Sequence, residues 1–346
     1  MPAAIAHERE QHLWHSTYTT AEGWSEDGIL LDHRSAAAPA LAQNGDDLLC
    51  VHRGARHGVA ENNPLRWTSH TPADGGGRPG PRRWTPDSDL GNGNLAFHSP
   101  ALAAYEGSVY AVYHRFWDDG RGGLATTRRP AGGPWQTAWR HEESRGTGPG
   151  RWPGLAVYQG LLHLVFAVSG TGTGPEGPEG ATVQHATLAG DGAWTPVRHG
   201  RGSEPLAVVN AERQEAAEAA GMRPPGNCAL TEHDGLLHLL YRKEYDQRLW
   251  HATYDGDTWS GAVALDGLTS RRGASLASYD GRLHAVYPSP DGDSLHHAVH
   301  QDGEWSEGEA IPGHESRHDS SLIAFAEPDG SRSLRLVHRG VDAAAT

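Results

Sequence analysis

Two sets of cations recur at fixed places in this chain, and their spacing is the first sign of chemistry. Ahead of four runs of small residues stand His98, Arg151, Arg272 and His318 at equivalent offsets, with Arg34, Arg271 and Arg317 close by. A second set follows the next apolar run of each segment: Arg53, Arg242 and Arg339 align, and another segment offers His114 and Arg115 there. A ring of guanidinium and imidazole groups can seat a carboxylate, a phosphate or a polyol, because the planar fork of arginine matches paired oxygens. The competing use is structural, with the same arginines paired to the Asp and Glu of their own loops. Aromatic residues accompany the cations. Phe116 and Trp117 precede Asp118 and Asp119, Trp152 follows Arg151, and Tyr245 lies between Glu244 and Asp246. A ring face beside charged hydrogen-bonding groups is a common way to bind a polar ring.

Catalytic groups are less legible. If the protein is an enzyme, Glu244, Asp246, Asp118 and His114 are the acid/base candidates, with Glu142, Glu143, Asp119 and Asp319 as further carboxylates. Glycoside cleavage depends on the separation of two such carboxyls, which a sequence does not give. No GxSxG elbow, Walker loop or strand-following GxGxxG is present. The 23 histidines invite a metal, yet no HExxH or paired CxxC spacing occurs. His15, His185, His251 and His297 hold one repeat position, and His163, His238 and His284 another. A residue repeated in place suits a scaffold hydrogen bond better than a ligand set. The reading therefore calls for no metal and no cofactor.

The elements that position these groups are repeats. A strand A reads PALAQNG from Pro39, PALAAYEG from Pro100, PGLAVYQG from Pro153, CALTEHDG from Cys228, ASLASYDG from Ala274 and SSLIAFAEPDG from Ser320. Strand B follows, as in LLHLLYRK or RLHAVYPS; strand C includes LWHATY and LHHAVH; and a Trp opens strand D at Trp84, Trp135 or Trp139, Trp194, Trp259 and Trp305. The last copy ends after strand B, while LWHSTYT from Leu13 and Trp24 supply a strand C and D at the other end. The two ends thus complete one unit, and this removes the open edges of a linear array.

The expectation is an all-β, six-bladed propeller of four-stranded antiparallel blades forming a single domain. Its blades span 39–90, 100–145, 153–200, 228–266, 274–312, and 320–342 joined with 11–32. Short A-to-B and C-to-D turns, rich in Asn-Gly and Asp-Gly, lie on one face; B-to-C and D-to-A loops of varied chemistry share the other. One D-to-A loop, 203–227, carries helix signals over 203–221: Ser203, Pro205, an Ala/Glu/Gln-rich body and Gly221. Such a helix would be a lid or a packed plug on the variable face.

Composition agrees with this picture: 45 Gly, 22 Pro and 12 Trp, but 4 Phe and 2 Met. The net charge of −14 disfavours nucleic acid as a partner, and no apolar run reaches the length of a membrane span. The first residues lack the apolar core of a signal peptide, so a cytoplasmic location is expected, with signal-less release as the other route. Cys50 and Cys228 fall in different repeats, which argues against a disulfide framework.

The pattern PALAxYxG, LxxVYRG, LWHxTYDG, xTWS resembles the blades of bacterial and fungal β-propeller lectins and, more loosely, sialidase-like propellers. The matching positions are scaffold positions, so the resemblance implies the fold more than the ligand. Thr253–Trp259 is similar to a sialidase Asp-box, but Gly256 follows Asp255 directly. The Arg and Glu that fucose-binding propellers repeat in every blade have no counterpart in strands B and C. The resemblance implies a carbohydrate- or glycoconjugate-binding protein with one dominant site at the axial mouth, taking a glycan or a small polar or anionic ligand. The alternatives are an enzyme using the axial pocket, for glycoside cleavage or transformation of a small metabolite, and a protein-interaction platform.

Overall fold

A computed structural model of the chain describes residues 11–54, 63–72, 82–118, 122–141, 151–168, 182–188, 192–197, 206, 228–243 and 246–341. They form six antiparallel sheets arranged as the blades of a propeller. Blade 4 shows the plan: strand A Ala229–His233, strand B Leu236–Arg242, strand C Arg248–Tyr254 and strand D Val263–Thr269, in that order outward. Ring closure is as the sequence predicts. Strand C of blade 6 is Gln11–Thr19, and it pairs with strand B Arg332–Arg339 from Leu13↔Arg339 to Tyr18↔Leu334. Of the helix expected over 203–221 only Leu206 is described, buried and outside regular structure; the rest lies outside the described residues.

Strand A explains why the repeat begins with small residues and a leucine. Leu41, Leu102, Leu155, Leu230, Leu276 and Leu322 occupy one position, and each packs into the apolar cluster shared with the preceding blade. All are at most 8% exposed. Six such wedges, each worth about 1.5–3 kcal/mol on burial, join the blades around the axis. The flanking Ala and Ser residues let the innermost strands approach one another. The A-to-B turns of blades 2 to 5 take positive φ at both central residues, as at Asp234–Gly235 (48° and 77°) and Asp280–Gly281 (51° and 71°), which matches the twist of a tight hairpin.

Strand D starts with a clamp that accounts for the recurring Trp-Ser or Trp-Thr. The N–H of Ser25, Thr85, Ser260 and Ser306 donates to strand C, at Thr17 O, Ser69 O, Thr253 O and Val299 O. Their hydroxyl oxygens accept the N–H of the same strand C residues, at 2.9–3.0 Å. In blade 2 the equivalent backbone bond runs from Gln136 N to Arg128 O. Trp135 is therefore the repeat tryptophan there, and Trp139 belongs to the outer strand that follows. The Asp-box-like stretch forms a scaffold turn in which the Asp255 carboxylate accepts the N–H of Asp257 and of Thr258, both at 2.8 Å.

The repeated histidines form relays between blades. Trp259 Nε1–H donates to His185 Nδ1 (3.3 Å), and His185 Nε2 meets His163 Nδ1 (2.8 Å). Trp305, His251 and His238 repeat this, as do Trp24, His297 and His284. The tryptophan can only donate, so the strand C imidazole accepts at Nδ1 and donates from Nε2 to its strand B neighbour. In these three relays the contacts are made with both rings neutral. Burial depresses the basicity of these rings accordingly, to about 4 for His163, His238, His284 and His297 and about 3 for His251; burial likewise holds His15, at the same strand C position but outside these relays, at about 3. Their unfolded value is 6.5, above every folded one, so stability is fully present above pH 6.5 and falls as the pH drops towards about 4. Denaturant unfolding at pH 5 should take up on the order of one proton per such histidine. A series of midpoints from pH 7.5 to 4.5 that stayed flat would contradict neutral relays.

Candidate functional site

The cations ahead of strand A are held by a turn that begins with a buried serine. In blades 1, 5 and 6 the hydroxyls of Ser35, Ser270 and Ser316 accept the N–H of Ala37, Arg272 and His318, at 3.1–3.2 Å. The same hydroxyls donate to backbone carbonyls: Ser35 to Ala37 O, Ser270 to Pro288 O and Ser316 to His318 O. All three serines have no exposed surface. The turn is thereby fixed to the neighbouring backbone, and the next two side chains point from a rigid base. These serines were not singled out in the sequence; their signal is a Ser at a constant offset before strand A.

Two adjoining cavities open among these turns. The central one, about 80 Å³, gathers residues from around the axis: Ala37, Ala38 and Arg53 from blade 1, His98 and Ser99 from blade 2, and Trp152 from blade 3. Arg272 of blade 5 and His318 and Asp319 of blade 6 complete it. The second, a side chamber of about 390 Å³, is lined by Arg242 and Gln247 of blade 4, Arg271, Arg272 and Pro290 of blade 5, and Arg317 and His318 of blade 6. Arg272 and His318 form part of both walls.

Electrostatics differ sharply between these arginines. Asp293 receives Arg317 through two bonds, from Nε (2.8 Å) and from a terminal nitrogen (2.7 Å), and lies 3.6 Å from Arg271. Arg317 in turn holds the Asp293 carboxyl below the usual carboxylate range. Arg272 makes no ion pair among the described residues. The His318 Nε2 is 2.7 Å from an Arg339 guanidinium nitrogen, which can only donate. His318 is thus neutral with its proton on Nδ1. Burial, then the charges of Arg339, Arg272, Arg271 and Arg317, depress its basicity to about 3.

Others of the predicted cations act as staples. Arg53 donates to Phe97 O (2.7 Å) in the turn of blade 2, and Arg339 to Ala36 O (3.3 Å) in the equivalent turn of blade 1. Arg242, 1% exposed, donates to Asp246 O at 3.0 Å. The Asp246 carboxylate is fully buried and accepts from the Arg248 side chain (2.9–3.2 Å), the Arg248 N–H (3.1 Å) and Trp250 Nε1–H (3.2 Å). Asp246 lines neither cavity. Where the sequence suggested an acid/base group, the structure has a loop anchor that positions Arg242.

The aromatic cluster of blade 2 is also packed inward. His114 has no exposed surface and contacts the rings of Phe97, His98 and Phe116 at 5.2–5.8 Å. Arg115 donates to Gly93 O and covers Trp117 at 4.3 Å, with Arg140 also over that ring at 5.3 Å. The Trp117 ring is thus engaged by two arginines while partly exposed. Asp118 is exposed on its loop. Trp152 does line the mouth, tilted against His98 with centroids 6.4 Å apart. Its backbone is held at φ 55°, where a bulge between Arg151 and Gly154 lets Gly154 approach Cys228 O. Only the strand placement of Arg151 is described, and Glu244 and Tyr245 lie outside the described residues.

No family model matches the sequence, and no curated protein matches it. The likeness is structural. AofleA from Arthrobotrys oligospora superposes with a TM-score of 0.54 at 13% identity, covering 87% of this chain and 79% of that one. A thermostable family-43 glycoside hydrolase matches at a TM-score of 0.52 and 13% identity, over 80% of this chain and 93% of that one. A Trypanosoma rangeli sialidase, in complex with the inhibitor DANA, matches at 0.51 and 13%, over 93% of this chain and 57% of that one. At such identity the fold is what is shared.

Sequence reasoning thus named Arg53, His98, Trp152, Arg242, Arg272 and His318, which the structure brings to the cavity walls. It did not single out Gln247, Pro290 or Asp293, whose loops carry no repeat signal. Replacing Asp246 by Asn should remove the Arg248 ion pair and cost roughly 1–3 kcal/mol of stability. Denaturant midpoints read this; an unchanged midpoint would mean that Asp246 is no anchor.

Proposed function

We propose that the protein binds an anionic carbohydrate at the axial mouth. The observation that carries this is the side chamber of about 390 Å³, in which Arg242, Arg271, Arg272, Arg317 and His318 converge in a protein of net charge −14. A cavity of that size suits a small ligand. Guanidinium groups fixed in advance hold anionic oxygens with little ordering cost on binding. Trp152 and His98 at the adjoining mouth supply ring faces against which a sugar can pack. That a family-43 glycoside hydrolase and a sialidase have the same scaffold supports a sugar ligand in preference to other anions.

Cleavage of that carbohydrate is the second reading, supported by the same two neighbours and by Asp319, 8% exposed in the wall of the mouth. Hydrolysis ordinarily takes two carboxyls. Asp319 is the one carboxylate lining either cavity among the described residues, which favours binding over cleavage.

Arg272→Ala should weaken binding of the best acidic glycan on a printed panel by about tenfold or more, at an unchanged melting temperature. Equal binding by variant and wild type would remove the site from this chamber. If the wild-type protein releases sugar from that glycan and Asp319→Asn does not, cleavage replaces simple binding.

A further inference from the structure

Arg271 and Arg317 share the single carboxylate of Asp293, whose two oxygens are already engaged by Arg317. Arg272 adds a third guanidinium with no carboxylate partner among the described residues. Three guanidinium groups thus stand beside one internal anion, and the uncompensated positive charge favours an anionic ligand there. A sugar carboxylate offers two coplanar oxygens and one charge, enough to engage one fork. An ester of phosphate or sulfate presents three terminal oxygens in a pyramid, and the phosphate carries close to two charges at neutral pH.

The donors of the chamber surround a volume instead of lying in one plane. Arg271 and Arg272 come from the turn at Ser270, and Arg317 and His318 from the equivalent turn at Ser316. His318 contributes a neutral Nδ1–H donor, because Arg339 occupies its Nε2. Gln247 adds a side-chain amide from the neighbouring blade. Both turns are clamped by buried serines, so the backbone positions from which these side chains start are set before any ligand arrives.

Resting on the reading that the mouth takes an anionic sugar, we propose that the chamber between blades 4, 5 and 6 holds a phosphate or sulfate ester group of that sugar. The sugar ring then lies towards Trp152 and His98. Arg272 and His318, common to both cavities, sit at the junction of ring and ester. Phosphate and sulfate share the tetrahedral geometry that the argument uses, and the experiment separates them.

Calorimetric titration of the full-length protein with glucose, glucuronate, glucose 6-phosphate, glucose 6-sulfate, inorganic phosphate and inorganic sulfate tests this. The expected result is binding of at least one ester about tenfold or more tighter than glucuronate, with glucose weaker still. The corresponding inorganic ion should compete with it. Arg272→Ala should cost about tenfold towards the ester, Arg272→Lys less, because charge remains while the fork is lost. The preferred ester identifies the oxyanion. Glucuronate binding as tightly as both esters would overturn this inference and leave the anionic-sugar reading in place. Glucose binding as tightly as the charged sugars would overturn both. So would no binding of any probe, inorganic ions included, at roughly millimolar concentration. Ester binding indifferent to Arg272→Ala and to Arg317→Ala would place the oxyanion elsewhere and overturn the inference, while thermal melts confirm that both variants fold.

Discussion

The pairing of strand C from one end of the chain with strand B from the other is the constraint on which the remaining structure depends. Leu13 to Tyr18 lie in register with Arg339 to Leu334, so the ring closes through main-chain hydrogen bonds. Once it is closed, each strand A leucine has a preceding blade to pack against, including Leu41, whose cluster contains Leu13 and Val337. Closure also gives Arg339 a target. Its bond to Ala36 O crosses from the last blade to the first, and Arg53 repeats that bond from the first blade to the second. The mouth is rigid because its turns are fastened from blade to blade, and a rigid mouth can hold several like charges close together.

Those charges are divided between holding the turns and facing the cavities. Arg53 and Arg339 bond carbonyls in neighbouring turns, and Arg242 is bonded to the loop that Asp246 anchors. Arg317 and Arg271 are balanced in part by Asp293. Arg272 is on both cavity walls and outside every ion pair of the described residues. The two readings of the basic ring, ligand seat and structural network, therefore both apply, to different members of it.

The histidines show how the same residue type can serve unrelated ends. In strands B and C of blades 3, 4 and 5 they link tryptophan to imidazole to imidazole across blade boundaries. Blades 1 and 6 instead use the penultimate strand B residue, where His52 and His338 meet Asp87 and Asp27 at 3.0 and 2.8 Å. Blade 5 has Tyr287 at that place, and Gly308 provides the room, since a Cβ there would collide with the tyrosine hydroxyl. Among the described residues His98 and His318 line the cavities, and His318 does so as a neutral donor among arginines.

Period-two alternation, the repeated strand A and the split last blade are local patterns, and they were sufficient to set strand identity, blade number and closure. The cations at the mouth were legible for the same reason, since each holds a fixed offset from a strand. What the sequence left open depends on register and loop path. Trp135 and Trp139 could not be told apart until the Gln136–Arg128 bond set the register of strand D. Asp246 and Trp117 have the composition of site residues, yet their loops turn the carboxylate and the ring inward onto Arg248 and Arg115. Asp293 and Gln247 carry no repeat signal; Gln247 joins the chamber wall and Asp293 pairs with two of its arginines because blades 4, 5 and 6 bring their loops together. A repeat determines where a side chain starts; which side chains meet across blades is decided by the closed ring and the loops it holds.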